Sequence, residues 1–234
     1  MDELCVYCGK RPGTTSDHVP PKALFPTPRP SDLITVPCCE ECRCEQTLDD
    51  EYFIRMVAMR HDVADHPAAS QALEAVHRSF TKPKKQGFTR ALVNSIRYAD
   101  MRSKGGLYLG KAATYDVDLD RLCRVIRRTT IGLLFDHLGI RLPEGHECTV
   151  YAIDGFGAAA LADRTPAKQL IDQALLGEPR VWGAKAFTRW FQVLQGPPMA
   201  TLWAFLVYSR VAFVALTGPA ASSQGSGDGG CVAL

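Results

Sequence analysis

Cys5 and Cys8, and again Cys39 and Cys42, form two Cys-x-x-Cys pairs that bracket an Asp17-His18-Val19-Pro20 step. Each pair is a knuckle that offers two thiolates to one tetrahedral ion, and two knuckles complete a closed four-sulfur site for structural Zn2+. A closed site leaves no position for water or substrate, so any chemistry belongs to the acid–imidazole pair between the knuckles. A carboxylate can bind a second, hard cation, and an imidazole can take a proton from water. Cys38 and Cys44 stand beside the second knuckle. Neither gives the commoner knuckle spacing, and both are read as non-ligands.

These groups need elements to hold them. The prolines from Pro20 to Pro30 forbid a regular helix there. Leu33-Ile34-Thr35-Val36 is a short strand candidate that feeds the second knuckle, and a helix is expected from about Glu40 to about His61. Asp49, Asp50 and Glu51 suit the first turn of its clearer part, where acids complement the helix dipole. Helices are also expected over residues 68–80, 90–103 and 118–139. The last is the firmest, because Leu119, Leu122, Val125, Ile126, Leu133 and Leu134 recur at helical spacing and Gly139 offers a stop. Residues 148–153 and 187–194 read as strands and 166–176 as a helix.

Residues 199–218 are nearly all apolar and long enough to cross a bilayer. Arg210 near the centre costs about 2.5–3.5 kcal/mol in a membrane helix, and Trp203, Phe205, Val207, Val211, Phe213 and Val214 favour strands. Two buried strands joined at Tyr208-Ser209-Arg210 are therefore expected, and no membrane association. The stretch after Gly218 is rich in Ala, Ser and Gly and is expected to be disordered. The whole reads as α+β, with a cysteine-rich module over 1–66, a body of helices and a small antiparallel sheet over 67–217, and a tail over 218–234.

A knuckle, then Cys5-Val6-Tyr7-Cys8 followed by Asp17-His18-Val19-Pro20, then Leu33-Ile34-Thr35-Val36-Pro37-Cys38-Cys39-Glu40-Glu41-Cys42, is a specific order of parts. In that order the chain resembles the HNH endonucleases over roughly residues 5–52. The resemblance implies a treble-clef-like ββα-metal module. His18 would be the general base that deprotonates water for attack on a phosphodiester. Asp17 would hold a catalytic divalent ion, Mg2+ or Mn2+, that stabilises the leaving 3′-oxygen. The products would carry a 5′-phosphate and a 3′-hydroxyl. Two positions depart from the pattern. Asp32 stands where the family has its middle Asn, and Arg43 stands where a final Asn or His completes the metal site. An arginine cannot ligate a cation. Either Glu45, Gln46 or Asp49 substitutes from the same helix, or the module binds nucleic acid or a protein partner without cutting.

The net charge of +2 does not point to nucleic acid, so any such signal is local. Eight Lys or Arg residues and one acid, Asp100, lie from Arg78 to Lys104. Arg43, Lys82, Lys84, Lys85, Arg90 and Arg97 are the residues expected to meet nucleic acid, with DNA the expected form. Arg121, Arg124, Arg127 and Arg128 are expected to extend the stripe, which would neutralise phosphates. A homodimer would allow both strands to be cut. Six of nine cysteines fall within the first 44 residues, as a metal module uses them, and the N-terminus lacks a signal-peptide pattern. A reducing, cytoplasmic setting is expected. Cys231-Val232-Ala233-Leu234 matches a prenylation pattern, but no basic run or second cysteine reinforces it. A third class, a small-molecule enzyme in residues 67–217, finds no nucleotide loop or nucleophile motif in support.

Overall fold

The structure, a computed structural model, describes residues 3–80, 86–103, 105–153, 165–196, 199–220 and 231–233. The first knuckle is a tight loop docked on the chain that follows it. Cys5 N–H donates to Arg11 O at 2.8 Å, Gly9 N–H to Cys5 O at 2.9 Å and Val6 N–H to Pro37 O at 3.0 Å. Strand β1 (Thr15–Val19) pairs antiparallel with β2 (Ile34–Cys38), with Asp17 opposite Val36 and His18 opposite Thr35. Helix α1 (Glu40–Ala58) starts directly after, with Cys39 at its N-cap and Glu40 and Glu41 in its first turn. The Asp17-His18 step therefore lies in a strand of a hairpin, not in a loop.

Helices α2 (Pro67–Phe80) and α3 (Gln86–Ser95) follow. The helix expected over 90–103 stops at Ser95. Its hydroxyl donates to Leu92 O at 2.8 Å and accepts from Asp116 N–H at 3.2 Å. Residues 97–102 then pair as β3 (Arg97–Arg102) with β4 (Tyr108–Thr114). Both strands lie on the surface, so no apolar alternation marked them in the sequence. Cross-strand pairing decided against local helix preference.

Helix α4 (Leu119–Leu138) is capped by Asp118, which accepts from Arg121 N–H, and ends at Gly139 with φ 68°. It runs through the middle of the molecule, touching α1, the β1–β2 hairpin and the main sheet. Gly132 lets it approach closely: a Cβ there would sit 2.6 Å from Val19 Cγ1. Val19 and Asp17 share a face of β1, so the same approach brings Arg128, one turn earlier on α4, against Asp17.

The remaining elements are β5 (His146–Ala152), α5 (Thr165–Ala174), β6 (Arg180–Trp182), β7 (Phe187–Leu194), β8 (Ala200–Val207), β9 (Val211–Pro219) and β10 (Cys231–Ala233). They form a six-stranded sheet in the order β10-β5-β9-β8-β7-β6, antiparallel except for β10 beside β5. The apolar run at 199–218 is the central pair β8–β9, and Arg210 is exposed at the turn between them. Tyr208 and Ser209 take positive φ there (48° and 60°). The unusual backbone of Tyr208 is held by burial and by its hydroxyl, which donates to Leu24 O at 3.2 Å. Among the described residues no helix is long and apolar enough to cross a membrane.

The expected disordered tail differs at both ends. Gly218 and Pro219 belong to β9, and Cys231–Ala233 pairs as a strand. Residues 221–230 and Leu234 lie outside the described residues. One face of the sheet packs Trp203, Phe205 and Phe213 against α1, α4 and the hairpin, while Leu202, Ala204 and Val214 face Ile171 and Ala174 of α5. The first core is continuous across residues 66 and 67: Val6, Val19 and Leu24 join Leu122, Ile126, Trp182 and Phe213. Each such fully buried large side chain contributes about 1.5–3 kcal/mol. The architecture is α+β, with the cysteine-rich hairpin packed on one side of helix α4 and the sheet on the other.

Candidate functional site

The four sulfurs of Cys5, Cys8, Cys39 and Cys42 lie within 4.8 Å of one another, and this is the one such cluster of His, Cys, Asp and Glu among the described residues. Cys8 and Cys39 Sγ are 3.9 Å apart; a tetrahedral zinc with bonds of about 2.3 Å has sulfur–sulfur edges of about 3.8 Å. The donor set therefore fits zinc in size and chemistry. Burial opposes ionisation of Cys8, yet the backbone N–H groups of Lys10 and Arg11 and the neighbouring thiols bring it down to about 6. Burial, the bond to Cys39 and the charge of Cys5 push Cys42 the other way. Sulfurs this close cannot all ionise without a cation, and a divalent ion resolves the conflict. Cys38 lies beside this quartet but outside it, 3.9 Å from Gln46 Oε1, and burial pushes its thiol up to about 12. Cys44 is exposed on α1. An ion pair between Arg11 and Glu41 ties the first knuckle to the start of α1.

Asp17 and His18 both line a pocket of about 310 Å3, together with Arg43, Gln46, Thr47 and Asp50 of α1. Asp17 Oδ2 accepts from the Tyr7 hydroxyl at 2.6 Å and lies 3.2 Å from Arg128 Nε. Arg128 Nη2 donates to Asp50 Oδ1 at 2.5 Å. Two carboxylates from different elements thus converge on one guanidinium whose side chain is only 5% exposed. Arg128 Nε is a buried donor without a well-aligned hydrogen bond. Burial pushes Asp50 up to about 6 against the pull of Arg128, with Asp17 and Asp49 adding to the rise. Burial, Lys22 and other nearby cations hold His18 below its ordinary 6.5, outweighing Asp17, so the imidazole is neutral at pH 7.

The other expected site residues divide. Gln46 lines the pocket with Asp17 and His18. Glu45 lines a different cavity of about 500 Å3 between the knuckles and α4. Asp49 is held by Arg121 Nε and Arg124 Nε, each at 2.7 Å, on the α4 side of α1. It therefore does not join Asp17. Asp50, one residue on, is the carboxylate that does, and it was missed because an acidic triplet does not say which member faces which way. Arg43 sits in the pocket and donates through Nη1 to Ser16 O at 3.3 Å. The arginines expected to form a stripe on α4 each bond to another part of the chain, with Arg124 still half exposed. Arg121 and Arg124 bind Asp49, Arg127 donates to Cys148 O at 2.9 Å, and Arg128 bridges Asp17 and Asp50. The spacing Arg121, Arg124, Arg128 against Asp49 and Asp50 was the available signal for two complementary helix faces. Arg90 on α3 and Arg97 on β3 are exposed, and Lys82, Lys84 and Lys85 lie outside the described residues.

Oδ1 of Asp17 and Oδ2 of Asp50 carry no hydrogen bond among the described residues, the Gln46 amide lines the pocket beside His18, and carboxylate and amide oxygens are the donors Mg2+ or Mn2+ prefer. Comparison with known family models, curated proteins and solved structures returns no match to this chain.

Proposed function

We propose that this chain is a metal-dependent endonuclease of HNH type that hydrolyses nucleic-acid phosphodiester bonds, with DNA as its substrate. The observation that carries this reading is the convergence of hairpin and helix. β1 and β2 lead into α1 in the order of a ββα-metal unit, and Asp17 and His18 share a pocket with Gln46 and Asp50. In this treble-clef-like reading the four cysteines hold structural zinc, and the zinc locks the N-terminus of α1 against the first knuckle. Asp17 and Asp50, with Gln46, hold the divalent ion, and Asp50 takes the place that Arg43 cannot fill. The ion supplies charge stabilisation at the leaving 3′-oxygen.

His18 does the proton work. Its depressed basicity keeps it neutral at pH 7, so it accepts the proton of the attacking water without first losing one. Arg43, at the rim of the same pocket, is placed to pair with a phosphate oxygen. Arg128 offsets part of the mutual repulsion of Asp17 and Asp50.

The test is nicking of supercoiled plasmid by the zinc-loaded protein with Mg2+, Mn2+ or chelator. Metal-dependent nicking is expected, falling by about 10²–10⁴-fold in His18→Ala and sharply in Asp50→Asn. The acid limb of the pH–rate profile should lie below pH 6.5, where His18 becomes protonated. A second reading is favoured by Arg43 bonding to Ser16 O and by Arg128 already standing between the carboxylates. It makes the chain a silent zinc module that binds nucleic acid or a protein partner. No nicking under any metal, with zinc retained, decides for it.

A further inference from the structure

We infer that the β3–β4 ribbon is a grip for duplex DNA that lies in a groove of the double helix; this rests on, and narrows, the nuclease reading. Among the described residues the ribbon pairs only with itself over Arg97–Arg102 and Tyr108–Thr114, and neither face is buried. An isolated two-stranded hairpin is marginally stable, so a ribbon exposed on both faces is built to meet something. It displays side chains that a free surface rarely keeps together: Tyr98 is 75% exposed, Leu107 68%, Leu109 57% and Tyr108 50%.

The chemistry of the two faces names the partner. Ladder partners share a face, so Tyr98, Lys111, Arg102 and Tyr108 stand together, with Asp100 opposite Lys111. The other face carries Arg97, Ala99 and Met101 opposite Thr114, Ala112 and Gly110. Arg97, Arg102 and Lys111 against Asp100 make the ribbon cationic. The two guanidiniums donate to the backbone oxygens of Asn94, Ile96 and Gly106, and no ion pair to a carboxylate is seen for them among the described residues. Cations interleaved with tyrosines suit phosphates and sugar edges, and Leu107 at the tip suits the apolar contacts such arms make with base steps.

Dimensions narrow the choice to DNA. Two strands about 4.8 Å apart fit a B-form major groove about 12 Å wide, whereas the deep, narrow major groove of A-form RNA does not admit such a ribbon. The ribbon also leaves the molecule at the helix that carries the proposed site. Tyr115 Oη donates to Met56 O at 3.2 Å, and Asp118 N–H donates to Tyr52 Oη at 2.7 Å, two residues from Asp50. At about 3.3 Å per residue a six-residue strand reaches about 20 Å, enough to hold a duplex whose backbone passes the His18 pocket.

The test uses the full zinc-loaded chain carrying His18→Ala, so that binding is read without cutting. Anisotropy is measured with a 20-base-pair DNA duplex, the same sequence as duplex RNA, and single-stranded DNA, between about 50 and 200 mM salt. The parent is compared with Arg102→Glu/Lys111→Glu and, as a milder change, Arg102→Gln/Lys111→Gln. Expected are at least tenfold preference for duplex DNA, at least tenfold weaker DNA binding in the charge-reversed variant with a smaller loss in the Gln variant, and a salt slope lower by about 2. Zinc content and thermal midpoint should not change. Unchanged affinity and slope in both variants, equal binding of duplex RNA, or a wild-type dimer that the substitutions dissociate (the ribbon meeting a second copy) would each overturn the inference. Ribbon-dependent binding by a protein whose unsubstituted form nicks no plasmid would sink the nuclease reading alone. Nicking that survives ribbon substitution without loss of duplex affinity would sink the ribbon alone.

Discussion

Helix α4 and the β3–β4 ribbon both carry clustered basic residues, and tertiary structure puts them to opposite uses. On α4 the guanidiniums of Arg121, Arg124 and Arg128 close on Asp49, Asp17 and Asp50, and Arg127 caps Cys148 O. On the ribbon Arg97, Arg102 and Lys111 stand on strands exposed on both faces. The difference teaches that a count of positive charges locates neither binding nor stability. α4 lies against an acidic helix and a hairpin that supply carboxylates at matching spacing, so its cations hold the fold and shape the pocket. Neither face of the ribbon is buried, and among the described residues its guanidiniums meet no carboxylate, so its cations remain available to phosphate.

The largest expected effect comes from emptying or breaking the four-cysteine cluster, whose sulfurs fit zinc. Structural zinc sites in small modules bind with about 10–16 kcal/mol. Chelation, or Cys39→Ser, should therefore abolish zinc content and remove amide protection from β1 and β2 in hydrogen exchange. Protection that persists there without metal would show that the α4 ion pairs suffice to hold the hairpin.

Next is Arg128→Met, which leaves Asp17 and Asp50 facing each other without their shared cation. Breaking such a buried pair costs about 3–5 kcal/mol, read as a fall in the denaturant midpoint. Tyr98→Ala or Lys111→Ala on the ribbon should stay within about 0.5 kcal/mol. Similar losses at both places would erase the distinction between the two basic regions.

Gly132→Ala tests how closely α4 must approach. The added Cβ meets Val19 Cγ1 at 2.6 Å, and overpacking of this kind costs about 1–3 kcal/mol. Pushing α4 away also lengthens the reach from Arg128 to Asp17, so the plasmid-nicking rate should fall with it. A variant as stable and as active as the parent would mean that the helix has room to shift.

The smallest effect is in pH. Burial raises Asp49, but hydrogen bonds from Arg124 and Arg121 outweigh it and hold the carboxyl below its ordinary 3.8. A depressed folded pKa gives stability that is full above the unfolded value and lost as pH falls through the folded one. Asp49→Asn should therefore flatten the acid side of the stability profile below pH 3.8 and leave the neutral region little changed in slope. An unaltered acid limb would mean that solvent already screens this pair.

Much of the fold was legible because its signals are local and periodic. The helical spacing from Leu119 to Leu134 with Gly139 beyond it, the β-branched and aromatic run either side of Arg210, and the four knuckle cysteines each identified their element. The ribbon was not legible, because a strand exposed on both faces has no alternation to betray it and Ala99, Met101 and Arg102 are good helix formers. Within the site, Asp17 and His18 could be read from their place between the knuckles. Which acid of α1 answers them could not, since adjacent residues of a helix point about 100° apart and the sequence does not say which direction is inward.

The sequence by itself determined the four-thiolate cluster, because two Cys-x-x-Cys pairs are a property of residue type and short spacing. It also determined that the 199–218 run would be strands, because Arg210 and the β-branched residues act locally. Only the tertiary structure decided that Asp50 rather than Asp49 faces Asp17, that Arg121, Arg124 and Arg128 pair with acids, and that the ribbon is exposed on both faces. Those outcomes depend on which surfaces meet across long stretches of chain. Burial and charge pairing then act between groups that no local pattern relates.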